Sequence, residues 1–110
     1  GKVLLANNAS VDDANYRGET PLFIASRNGY ANIVELLIAS NATIDPIEYV
    51  YNDTPLTRAS YKGHLEVVRI LVANGANINY VADGKTALEW AKHIGHEELV
   101  EYLTNFVNEK

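Results

Sequence analysis

The apolar residues fall in short bursts with a helical period instead of alternating. Leu22, Ala25 and Ser26 share one helical face, and Leu56, Ala59 and Ser60 repeat it further along. A second burst follows each time: Ile33, Val34, Leu36 and Leu37, then Val67, Val68, Ile70 and Leu71. Breakers separate the bursts. Gly29, Gly63 and Gly95 follow the first kind, and Asn8, Asn41 and Gly75 follow the second. Gly, and next to it Asn, tolerates the left-handed conformation that ends a helix. Thr20 and Thr54 stand where an N-cap belongs, with Pro21 and Pro55 at the first helical position, where a missing N–H costs nothing. In the third burst Ala87 takes the proline's place after Thr86. The pattern predicts pairs of short helices, each pair closed by a glycine turn and joined to the next by a polar loop.

The pairs are copies of one another. "GETPLFIASRNGY" (18–30), "NDTPLTRASYKGH" (52–64) and "GKTALEWAKHIGH" (84–96) align in order. Thr20, Thr54 and Thr86 are spaced by 34 and 32 residues, and so are Gly29, Gly63 and Gly95. Whole units therefore repeat, with one residue gained before the second unit and one lost before the third. The head of the chain, "LLANNASVD", matches "LIASNATID" and "LVANGANIN", so it reads as the tail of an earlier unit. The expected division is a truncated tail over 1–13 and units over 14–45, 46–79 and 80–110, the last a candidate C-terminal cap. The chain opens on Gly1 and has no methionine, which predicts a piece of a longer protein. A helix of about nine residues is marginal alone, so a neighbouring unit must cover each apolar face.

The recurring "G-x-T-P-L-x-x-A-S-x-x-G" followed by "V-V-x-x-L-L-x-x-N-A-x-I-D" resembles the ankyrin repeat, and the resemblance covers nearly the whole chain. It implies an all-α, single-domain ankyrin-repeat solenoid of stacked helix–turn–helix pairs with projecting hairpin-like loops. The histidine of the family signature is Phe23, Thr57 and Glu89 here, which predicts loops without the family's usual bracing hydrogen bond. The resemblance also puts Asn79 at a loop position that is hydroxylated in animal members of the family.

Charge and composition narrow the function. A net charge of −5 with nine scattered basic residues argues against nucleic acid, which needs clustered Lys and Arg. Without cysteine there is neither a disulfide framework nor a thiolate metal site, as suits an intracellular, cytoplasmic protein. No apolar run reaches the length of a membrane span, and no signal peptide is visible. In "HIGHEE", His93 and His96 are divided by Gly95, whereas a helical zinc pair needs two histidines on one unbroken helix. His96 shares its slot with His64 and Tyr30, and a slot that accepts tyrosine is structural. Ser26 and Ser60 lie on the small-residue stripe of the first helix, so no nucleophilic set forms. The sequons at Asn8, Asn41 and Asn52 coincide with caps and turns. Neither metal nor cofactor is expected, and no catalysis.

In the family, the loop tips and the outer face of the first helices form the binding surface. Carried over by position, the loop band is Tyr16, Arg17 and Glu19, then Val50, Tyr51 and Asp53, then Ala82, Asp83 and Lys85. The helix band is Ile24, Arg27 and Asn28, then Arg58, Tyr61 and Lys62, then Trp90, His93 and Ile94. Tyr, Trp and Arg anchor interfaces most often. The expected binding residues are therefore Tyr16, Arg17, Glu19, Arg27, Tyr51, Asp53, Arg58, Tyr61, Lys62, Lys85, Trp90 and His93, and the expected partner is another protein. The alternative is an architectural spacer in a longer array, and behind it a small-molecule-binding or enzymatic role. A monomer fits the first reading, and end-to-end association through the truncated unit fits the second.

Overall fold

A threonine and a glycine set the start and stop of each first helix in the computed structural model, which describes residues 10–108, with a proline at the first position of two of them. The Thr20 hydroxyl accepts from the Phe23 N–H at the head of α1 (Pro21–Asn28), and Gly29 closes it at φ 77°. Thr54 and Thr57 form a reciprocal capping box on α3 (Pro55–Lys62), and Thr86 and Glu89 do the same on α5 (Ala87–Ile94). The second helices are α2 (Ala31–Ala39), α4 (Leu65–Ala73) and α6 (Glu97–Asn108). Beyond α2 and α4 the left-handed residues are Asn41 (φ 72°) and Gly75 (φ 91°), as the helix-stop pattern requires. Among the described residues there are six helices; the loop Ala82–Lys85 carries an isolated antiparallel bridge.

The pairs stack. α1 packs on α3 and α3 on α5, while α2 packs on α4. The molecule is accordingly longer along the stack, 41 Å against 26 and 22 Å. Leu22, Leu37, Leu56, Leu71, Leu99 and Leu103 are fully buried along its length. Each such leucine contributes about 2 kcal/mol of transfer free energy. Tyr102, which its repeat slot assigns to the core, is only half-buried. The slot faces the seam between second helices, and the Arg69 guanidinium of α4 covers the ring at 5.5 Å. Phe106 lengthens the apolar face of α6 against the core, whereas Val107 stays 43% exposed.

Histidine joins one unit to the next. The His64 ring Nε2 lies 2.9 Å from the Arg27 carbonyl, and the His96 Nε2 lies 3.0 Å from the Tyr61 carbonyl. A carbonyl only accepts, so Nε2 carries the proton and donates. Each ring rests on the glycine that ends the preceding first helix. A Cβ on Gly29 would stand 2.8 Å from His64, and one on Gly63 only 2.6 Å from His96. His96 thus holds a structural post, as its slot predicts. Asp12 and Asp45 add a second row of ties. Asp12 accepts from the Thr43 N–H and hydroxyl, and Asp45 accepts from the Asn77 N–H. The segment from Val3 and the sequon at Asn8 fall largely outside the described residues. Asn41 and Asn52 are exposed turn residues with positive φ, consistent with turn chemistry.

Candidate functional site

The loops lack the family's usual histidine and are braced by other side chains. In the first loop the Asn15 side-chain oxygen accepts from the Arg17 and Glu19 N–H groups, and backbone bonds close the turn from Asn15 N–H to Glu19 O and from Gly18 N–H to Asn15 O. The second loop carries the inserted residue and uses a longer acid in the same office. Buried Glu48 accepts from the N–H groups of Val50, Tyr51 and Asp53, and its own N–H donates to Asp53 O. The extra methylene of Glu over Asn lets one side chain reach around the longer turn. The third, shortest loop is a backbone bridge between Ala82 and Lys85, with the Trp90 indole N–H donating to Ala82 O at 2.9 Å. Neighbouring loops also touch: Tyr49 N–H donates to Arg17 O, and the Tyr80 hydroxyl to Asn52 O.

Each loop stem is then tied to its first helix, by a salt bridge in two units and by a cation on an aromatic ring in the third. In the first, Arg27 pairs with Glu19 at 2.9 Å. In the second, Arg58 pairs with Asp53 at 2.7 Å. In the third the stem residue is a cation instead, and the Lys85 ammonium sits 4.9 Å from the centroid of the Trp90 ring. The Asn15 amide and the charges of Arg27 and Arg17 hold the Glu19 carboxyl below its ordinary range, against the opposing effect of burial. Burial wins at Asp53 and raises its pKa, although Arg58 and Thr57 pull it down. Burial and the negative charges of Asp53 and Glu48 push the Tyr80 phenol up.

The expected binding residues divide accordingly. Glu19 and Asp53 are buried and serve as counter-charges beneath the surface. The reason is the stem geometry: the residue before each N-cap threonine turns inward towards the helix. Tyr16 is 86% exposed at the first loop tip, with Arg17 over its ring. Tyr51, Arg58, Tyr61, Trp90 and His93 come together, joined by Asp53, Asp83 and Ile94, around a cleft of about 290 Å³ between the second and third units. Arg58 lies over both Tyr51 (4.9 Å) and Tyr61 (5.6 Å). Tyr61 meets Trp90 edge-on at 5.5 Å, and Trp90 meets His93 at 5.8 Å. Trp90 therefore does both things its position allows, packing on the preceding unit and walling the cleft. A second cleft of about 230 Å³ lies between the first and second units and includes Arg17, Arg27 and Val50. Tyr51 and Arg58 line both clefts, so the two adjoin at these side chains. Lys62 is exposed at the end of α3, and Lys85 is half-buried beside Trp90.

Sequence reasoning missed Glu48, Tyr49 and Tyr80. Only Glu48 left a signal: it aligns with Asn15 once the inserted residue is placed after it. Among the described residues no three His, Cys, Asp or Glu side chains gather as metal ligands would, and no helix is long and apolar enough to cross a membrane.

Comparison with protein-family models supplies the family. A model described as ankyrin repeats (3 copies) matches residues 46–110, and one described as ankyrin repeats (many copies) matches residues 1–38. The comparison with curated proteins finds no match. Repeated helix pairs, stacked side by side with braced loops on one edge and matched by these models, place the chain in the ankyrin-repeat family.

Proposed function

We propose that this protein is a non-catalytic, intracellular protein-binding module that works as a monomer and holds its partner in the groove formed by the loop tips and the first helices. Ankyrin repeats generally serve as protein–protein interaction modules. The observation that carries the assignment to this face is the pair of adjoining clefts that share Tyr51 and Arg58, the larger of them lined also by Tyr61 and Trp90. Glu19 and Asp53 of the loop stems hold Arg27 and Arg58, and the Ala82 carbonyl holds the Trp90 indole. Preorganised anchors of this kind lose little entropy on binding. A cleft of about 290 Å³ lies at or below the lower limit of small-molecule sites, so it suits one anchoring side chain better than a whole ligand.

The test is a quantitative pull-down from the source cell with the wild type and a Tyr51→Ala/Tyr61→Ala double variant. Tyr51 is 56% and Tyr61 39% exposed, so thermal unfolding is expected to move little. The reading holds if the double variant loses the captured protein. It fails if capture is unchanged, or if affinity and stability fall in step for each single variant.

A further inference from the structure

Resting on the proposal that this groove is the binding face, we infer that it takes an extended acidic polypeptide segment carrying one aliphatic or aromatic anchor. The charge of the molecule is divided unevenly. The chain is acidic overall, at −5, yet Arg17, Arg27 and Arg58 line the two clefts, Lys85 lies on the Trp90 ring, and exposed Lys62 follows Tyr61 at the end of α3, five of the nine basic residues. Elsewhere among the described residues only Arg69 and Lys92 are basic, against a large excess of carboxylates on the second helices and at the outer end of the stack. The chain's cations are gathered along the groove, while the rest of the body is acidic.

Its own acids cancel part of this: Glu19 and Asp53 neutralise Arg27 and Arg58, which leaves Arg17, Lys62 and Lys85 as the cations without a carboxylate partner among the described residues. Glu19 and Asp53 are buried beneath Arg27 and Arg58 and face those guanidinium groups, while the Glu48 carboxylate is turned into backbone N–H groups. Among the described residues, Arg17, Lys62 and Lys85 make no ion pair with a carboxylate, and Asp83 alone opposes them at the cleft. Arg17 and Lys85 instead lie on the faces of Tyr16 and Trp90, contacts that position a cation without neutralising it. Between these charges, Tyr51, Tyr61, Trp90 and Ile94 leave room for a single apolar side chain. A basic segment would meet like charges there. A polynucleotide would gain too few Lys and Arg contacts to offset repulsion by the acidic body. A polypeptide with a few carboxylates flanking one apolar residue satisfies both features.

The experiment is selection of an unbiased, displayed library of short random peptides on the intact protein. Enriched peptides are then titrated against Trp90, the sole tryptophan, whose emission reports occupancy of the cleft. The expected enrichment is acidic peptides with one Leu, Phe or Trp. They should shift Trp90 emission and weaken with added salt, and Arg17→Gln/Lys62→Gln, at two exposed cations, should cost about tenfold in affinity at unchanged Tm. Enriched peptides that are neutral or basic, but still require Tyr51 and Tyr61, overturn the acidic partner and leave the groove as the binding face. Peptides that bind the Tyr51→Ala/Tyr61→Ala variant equally well overturn the groove as well. So does the absence of any enrichment. A short oligothymidylate that shifts Trp90 emission at lower concentration than the peptides also overturns the inference, in favour of nucleic acid.

Discussion

Gly63 serves two neighbours at once. It closes α3 in the left-handed region at φ 81°, and it leaves the space in which the His96 ring of the next unit lies. Gly84 has a similar φ of 89° but nothing within 4 Å of its missing Cβ. Gly84→Ala should therefore cost only the backbone strain, about 1 kcal/mol, and Gly63→Ala about 2–3 kcal/mol, measured by denaturant unfolding. Ser60 points the other way: its hydroxyl is wholly buried with no hydrogen-bond partner. Ser60→Ala removes that desolvation penalty and improves helix propensity, so a gain of about 1 kcal/mol is expected. Asp45 and Asp53 fold with their carboxyl pKa values raised by burial. The folded state thus binds these protons more tightly than the unfolded chain, and their contribution to stability falls as pH rises through the raised values. Glu19, with a lowered pKa, contributes stability that is lost as pH falls through its value. One oxygen of Asp45 is buried without a partner, so Asp45→Asn should raise Tm at neutral pH and flatten that part of the Tm–pH profile. A profile identical to the wild type would contradict this.

At the scale of the element, the second loop depends on one side chain. Three N–H groups converge on the Glu48 carboxylate, which is 2% exposed. Glu48→Ala strands those donors, at a cost of about 2–3 kcal/mol. Amide exchange at Val50, Tyr51 and Asp53 should accelerate well before that of α3, whose own cap at Thr54 and Thr57 stays intact. The loops differ in length and in their tie to the helix, yet all three stems are fastened. A salt bridge in two units and a cation over an indole in the third reach the same end, because each places a cation between a loop stem and the face of the first helix.

Across the whole molecule, stability is a sum of units and interfaces. Leu71 is buried in the middle unit, with a stacked neighbour on each side; Leu103 is buried in the last. Either truncation to Ala should cost about 3 kcal/mol. Their patterns should differ: Leu103→Ala opens α5 and α6 first and leaves α1 protected in hydrogen exchange, whereas Leu71→Ala loosens both halves together. The end of the stack is polar. Where the earlier units bury Phe23 and Thr57, and Ser26 and Ser60, the third exposes Glu89 and Lys92.

The repeat, the helix boundaries and the stacking were written in the chain, since N-cap threonines, N1 prolines, left-handed glycines and a helical apolar period act over a few residues. The bands of exposed positions followed from that register, and Tyr51, Tyr61, Trp90 and His93 do converge on one cleft. What only the tertiary structure decided was which band members face solvent. Glu19 and Asp53 turned inward, Glu48 emerged as the centre of the second loop, and Lys85 found Trp90 in place of an acid. Those outcomes depend on loop path and on contacts between residues of different elements. A local pattern fixes where a side chain starts, but the neighbours it meets in space decide where it ends.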